Sequence, residues 1–146
     1  MVELRQITKD NYFEIIKLNV SENQKSFVAT NTQSLAQAWV FYNSAYPFAI
    51  YSDNIPVGFL MLGYHEEKNI YDIWRLMIDE NHQCKGYGKA AMHLAIEYLK
   101  KEYNATEISL SFAPDNTVAE SLYKSIGFEP TGEIDGGEVV MRLTFN

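Results

Sequence analysis

IWRLMIDENHQCKGYGKAAMHLA, residues 73–95, contains the turn around which the rest of the chain is arranged. IWRLMID is a run of large, mostly apolar side chains and predicts a strand; ENHQ is a polar turn; Gly86 and Gly88 then flank Tyr87 just before a helical pattern begins. The first amides of a helix have no acceptor within it, and glycine lets a ligand come close to the backbone. Such a turn suits an anion, most often a phosphate.

On its C-terminal side, Ala90, Ala91, Leu94, Ala95, Tyr98 and Leu99 predict one apolar stripe of an amphipathic helix, with Lys89, His93, Glu97 and Lys101 opposite. Glu97 and Lys101 have the favourable i,i+4 order. TEISLSF (106–112) reads as the next strand, so residues 70–112 form a β-α-β crossover with parallel strands. Pro114 stops that strand, and Thr117 with Glu120 reads as a capping box opening a short helix. Val118, Ala119, Leu122, Tyr123 and Ile126 share a face of this helix; Gly127 ends it, with Phe128 as the accompanying apolar contact. FEPTGEI and EVVMRLTF flank a hairpin turn at Asp135-Gly136-Gly137.

On the N-terminal side, PFAIYSD, IPVGFLMLGY and IYDIWRLMID are β-rich runs that predict an antiparallel meander. Before them, VELRQI (2–7) alternates like a strand, and Thr8 or Asp10 is placed to cap a helix carrying Tyr12, Phe13, Ile15, Ile16 and Leu18. Residues 19–33 read as a short helix or a loop, and residues 34–42 as a helix limited by Pro47.

Composition narrows the class. At 146 residues and 16.8 kDa, with 47% apolar and 21% charged residues, the chain reads as one globular domain, residues 1–146. A net charge of −7 argues against nucleic acid and anionic membrane, and suits a cationic small molecule. A single cysteine, Cys84, excludes an internal disulfide, and His65, His82 and His93 lack metal-ligand spacing. No apolar run approaches the ~20 residues of a membrane span. The start MVELRQITKD lacks a signal-peptide core, so a cytoplasmic location is expected.

Gly86-x-Gly88-x-x-Ala91 superficially fits a dinucleotide fingerprint. That fingerprint follows the first strand of a nucleotide-binding half, whereas the strand here is the fourth and belongs to an antiparallel run. Glu107, at the distance of a ribose-binding acid, opens a strand rather than ending one. The same residues, Gln83-x-x-Gly86-x-Gly88, also match Q/R-x-x-G-x-G/A, and Asn116-x-x-Ala119-x-x-Leu122-Tyr123-x-x-x-Gly127-Phe128 matches a second motif of the same family. With the element order β-α-α-β-β-β-α-β-α-β-β, the whole chain resembles a GCN5-related N-acetyltransferase (GNAT).

The resemblance implies an α/β (α+β) fold: a mixed sheet of about seven strands, a splayed fourth and fifth strand, and about four helices. It implies acetyl-CoA as cosubstrate, with its pyrophosphate on the backbone of Gln83, Cys84, Lys85, Gly86, Tyr87, Gly88 and Lys89. The backbone of Leu76, Met77 and Ile78 would pair with the pantetheine amides, and Asn116 and Ala119 would adjoin that arm. Tyr123 matches the tyrosine that protonates the departing thiolate in many members. Related polyamine acetyltransferases often carry acids in the middle of the fourth strand, where this chain has Trp74-Arg75. The nearest acid is Asp72, expected on the face of Trp74 and Ile78 as the general base, with Glu66 and Glu67 as rim candidates. Cys84 stands where relatives commonly have glycine and reads as incidental.

FVATNTQSLAQAW, AYPFAIY, VGFLMLGY and IWRLMID further resemble the branch containing bacterial diamine and spermidine/spermine acetyltransferases. The expected acceptor is therefore a polyamine, with Trp39, Tyr42 and Trp74 available to line its methylene chain. An acetyltransferase for another amine (a protein N-terminus, an antibiotic or an amino-acid analogue) and a non-catalytic acyl-CoA-binding module are the alternatives. The resemblance also implies a homodimer, with the edge of the last hairpin as its candidate contact.

Overall fold

The computed structural model describes residues 1–145. Its sheet is built outward from β3 (Ile55–His65), in which Phe59, Leu60, Met61 and Leu62 are all fully buried. Alternation sends Leu60 and Leu62 to one face and Phe59 and Met61 to the other. An uninterrupted apolar run is what a strand covered on both faces requires.

The meander is completed by β2 (Ala45–Ser52) and β4 (Ile70–Ile78), both antiparallel to β3, and β1 (Val2–Gln6) adds beyond β2. On the far side, β5 (Glu107–Phe112) is parallel to β4, and the hairpin of β6 (Glu129–Asp135) and β7 (Glu138–Thr144) closes the sheet. The strand order is β1-β2-β3-β4-β5-β7-β6, a seven-stranded mixed sheet. Gly136 and Gly137 turn the last hairpin with φ of 55° and 85°, both left-handed, as the Asp-Gly-Gly signal implied.

Helices cover both faces. α1 (Tyr12–Ile16) and α2 (Asn31–Val40) contribute Ile15 and Ala38 to the core around Phe59, Met61 and Met77. α3 (Tyr87–Tyr103) packs Ala91, Met92, Ala95, Ile96 and Leu99 against Leu60, Leu62 and Ile108, and α4 (Thr117–Ile126) adds Tyr123 to the same side. Among the described residues, no helix is long and apolar enough to cross a membrane.

Five local expectations need correction. The buried stripe of α3 is rotated toward Met92 and Ile96, which face the sheet core with Ala91, Ala95 and Leu99, leaving Leu94 38% exposed. Glu97 pairs with Lys100 at 3.8 Å, one position short of the expected partner. Thr117 and Glu120 form no capping box: Asn116 is the cap, its Oδ1 accepting the Ala119 amide at 3.3 Å, while Glu120 meets Lys124 at 3.4 Å. Neither Thr8 nor Asp10 caps α1, since the Thr8 hydroxyl accepts the Asp10 amide and the helix starts after Asn11. Residues 19–30 form a 3-10 turn (Glu22–Gln24) and loop, and α2 starts earlier than its apolar pattern, with Thr30 accepting the Gln33 amide.

Candidate active site

β4 and β5 pair only at Tyr71–Ile108 and Asp72–Ser109. Beyond these positions they diverge, and the split between them opens a groove of about 1110 Å³ that runs from the glycine turn to the far end of β4. Leu76, Met77, Ile78, Gln83, Cys84, Gly86, Tyr87 and Gly88 lie along one stretch of it. Asn116, Ala119 and Tyr123 line it from α4 and the turn before it, and Asp72 closes the far end. Lys85 and Lys89 are exposed and lie outside the groove lining, so those two expected contacts are not brought together with the rest.

The turn holds its shape by backbone conformation. Gly86 precedes α3 with φ of 82°, and a Cβ there would meet nothing within 4 Å, so its surroundings are open to a ligand. The amides of the first turn of α3 lie before the first intrahelical acceptor and remain free donors. The Gln83 side chain is structural: its Nε2 donates to the Ile78 carbonyl at 2.8 Å and to Gln24 Oε1 at 2.9 Å, tying the turn to β4 and to the 22–24 turn. Cys84 is left-handed, with φ of 62°. A side chain pays about 1 kcal/mol or more for that conformation. Cys84→Gly is therefore expected to raise stability by about 0.5 kcal/mol after glycine's own entropy loss, read as a small rise in Tm under reducing conditions.

Strand parity narrows the role open to β4. The Asp79 amide donates to the Val57 carbonyl at 2.8 Å, so the peptide groups of Met77 also turn toward β3, and those of Leu76 and Ile78 face the split. The Ile78 carbonyl is already held by Gln83, which leaves its amide and both peptide groups of Leu76 for a ligand.

A β-bulge interrupts β4 where Met61 pairs with Arg75 and Leu62 with Ile73. Trp74 is the extra residue. Trp74 and Arg75 consequently both point toward α2: Trp74 packs edge-on against Phe41 at 6.0 Å and Arg75 donates to Gln37 Oε1 at 2.8 Å. The uninterrupted alternation expected from sequence placed Asp72, Trp74 and Ile78 on one face; after the bulge, Asp72 keeps Trp74 but Ile78 turns to the opposite face, into the α3 core.

Two groups that sequence reasoning did not assign to the site adjoin Asp72 and Tyr123. His65 Nε2 lies 2.6 Å from Asp72 Oδ2, and the two residues line the same groove. Glu138 accepts from the Ser111 hydroxyl at 2.9 Å and also lines the groove. Burial raises the Asp72 carboxyl above its ordinary range, against the lowering effect of His65 and of Arg75. Burial, with the Glu138 charge, pushes the Tyr123 phenol up to about 12. Spacing along one strand signals neither His65 nor Glu138, because both reach the site across strand pairs.

The Asp72 shift has a consequence for stability. A carboxyl raised by burial is destabilising when ionised, and this penalty is absent below the unfolded value of 3.8 and complete above the folded one. Asp72→Asn should therefore melt above the wild type at neutral pH, with the gap closing as pH falls toward 3.8, as followed by thermal denaturation across pH.

A parallel strand pair that splits beside a glycine-opened helix N-terminus makes a groove whose free amides suit a phosphate-bearing ligand. Residues 2–128 match the acetyltransferase (GNAT) family, and the chain belongs to it. It is 34% identical to the spermine/spermidine N(1)-acetyltransferase of Bacillus subtilis (strain 168), over 96% of each chain. Among solved structures, the fold is similar to spermidine N-acetyltransferase from Vibrio cholerae in complex with CoA and spermine (TM-score 0.76, 21% identity, 97% of this chain and 92% of that one). It is also similar to the aminoglycoside acetyltransferase AAC(6′)-Ib in complex with coenzyme A (TM-score 0.83, 18% identity, 99% and 95%). The protein is an N-acetyltransferase, and acetyl-CoA is its cosubstrate.

Proposed function

We propose that this enzyme transfers the acetyl group to a primary amine of a polyamine, by direct attack with both substrates bound. The observation that carries the reading is 34% identity to a spermine/spermidine N(1)-acetyltransferase over 96% of both chains. The groove supports it chemically. Asp72, Asp135 and Glu138 line it and would attract a polycation, while the indole of Trp74 offers an apolar wall to methylenes.

When bound, acetyl-CoA supplies an activated acetyl thioester. Residues of this chain fit it: the free amides at the start of α3 and the backbone of Gln83 to Gly88 would hold the pyrophosphate. Leu76 and Ile78 would offer peptide groups to the pantetheine arm, and Asn116 and Ala119 would flank it, the Asn116 carboxamide nitrogen having no acceptor among the described residues. The Tyr123 hydroxyl would donate a hydrogen bond to the departing sulfur. With its phenol pushed up to about 12, it stays protonated throughout the working range. His65 and Asp72, 2.6 Å apart, would form the pair beside which the incoming ammonium gives up its proton.

Steady-state release of CoA against a panel of amines tests this. Spermidine and spermine should be turned over with kcat/KM roughly tenfold or more above monoamines, the worth of one added ion pair in a partly desolvated groove. Preferred turnover of a monoamine or of an amino-acid analogue would overturn the polyamine assignment. Arg75 favours that second reading, an acceptor bearing a carboxylate: it lines the groove and its buried Nε has no hydrogen-bond partner.

A further inference from the structure

The geometry points to His65 as the group that removes the proton from the acceptor amine, with Asp72 as the residue that positions it. This rests on the reading above only in requiring an ammonium-bearing acceptor. Asp72 itself is poorly placed to touch a substrate. Its Oδ1 is buried without a hydrogen-bond partner, and its Oδ2 is engaged by His65 Nε2 at 2.6 Å. Gly63, the residue paired with Asp72 across β3 and β4, is what admits the carboxylate to this position: a Cβ at residue 63 would lie 2.5 Å from Oδ1.

His65 is the accessible member of the pair, its side chain 57% exposed against 19% for Asp72. An ionised Asp72 accepts a proton held on Nε2 and so fixes the neutral tautomer that leaves a lone pair on Nδ1. Among the described residues, Nδ1 has no partner. Buried carboxylate, oriented imidazole and open groove thus stand in sequence, an arrangement that makes the imidazole the base and the carboxylate its counter-charge. In the step, an N–H bond of the acceptor ammonium breaks and an Nδ1–H bond forms, leaving the amine lone pair free to attack. The imidazolium then returns its proton to solvent through its exposed side. The other charged groups around the pair are Arg75 on β4, Glu138 on β7, and Glu66 and Glu67 just beyond His65.

The test begins with whichever amine the wild-type enzyme turns over best, so that failure of the polyamine assignment leaves it intact. His65→Ala and His65→Gln should each lower kcat by about a hundredfold or more while acetyl-CoA affinity and Tm stay close to wild type. Added imidazole should restore part of the rate to His65→Ala. The acidic limb of the wild-type pH–rate profile should be replaced, in these variants, by a rate that climbs with hydroxide. Asp72→Asn should lower kcat by about tenfold while the KM for acetyl-CoA stays within about twofold, because the imidazole loses the acceptor that orients it. His65 variants that keep kcat within about threefold and the same acidic limb would overturn the assignment; so would equal losses without imidazole rescue, which would make His65 structural. Absence of turnover with every amine would overturn both this inference and the proposed reaction.

Discussion

Tyr123→Phe is expected to lower kcat by about a hundredfold while changing acetyl-CoA affinity by no more than about twofold. The substitution removes only the hydroxyl. The ring sits between Phe112 and Phe128, at centroid distances of 5.9 and 6.1 Å, and phenylalanine preserves both contacts. Among the described residues the hydroxyl has no hydrogen-bond partner, so its loss leaves no buried donor or acceptor stranded and Tm should hardly move. What is lost is a donor facing the groove. Thiolate departure needs stabilisation that exists only as the C–S bond breaks, so the deficit should fall on kcat rather than on binding. Isothermal titration with acetyl-CoA and steady-state kinetics on the same preparation separate the two, and equal losses in kcat and affinity would assign Tyr123 to the core. Because the phenol is pushed up to about 12, the wild type should show no loss of rate from its ionisation at neutral or mildly alkaline pH.

Gly58→Ala should be the most damaging single methyl in the sheet. An added Cβ would lie 2.4 Å from the Met77 carbonyl oxygen, 2.9 Å from Ile78 Cδ1 and 3.2 Å from Ile50 Cδ1. The first of these is backbone, and it cannot retreat without parting β3 from β4. A loss of about 3 kcal/mol is expected, the upper end for overpacking, or about 10 °C in Tm for a chain of this length. The same displacement would move the free edge of Leu76 and Ile78, so acetyl-CoA affinity should fall by about tenfold in whatever fraction stays folded. Gly86→Ala is the contrasting control. Nothing lies within 4 Å of a Cβ there, and only the φ of 82° is penalised, by about 1 kcal/mol. Urea denaturation of both variants checks the order, and a Gly58→Ala protein as stable as Gly86→Ala would refute the packing argument.

Residues close together along the chain were the legible ones. The Gln83-to-Gly88 turn, the cap at Gly127 and the Asp-Gly-Gly hairpin are local conformational demands that particular residue types meet, so they can be read from spacing, and the motifs on either side of β5 carried the family. Helix phasing was less legible: the choice between Leu94 and Met92 as a core residue depends on how α3 lies on a twisted sheet, which no single segment encodes.

By itself, then, the sequence determined the order of elements, the parallel crossover and the anion-ready turn, because each follows from periodicity or from backbone preferences acting over a few residues. Only the tertiary structure decided which groups meet at the far end of the groove. The bulge at Trp74 shifts the parity of β4, Gly63 clears space for a buried carboxylate, and strand pairing brings His65 to Asp72 and Glu138 to Ser111. Those placements depend on register between strands, and register is settled by the packing of the whole sheet.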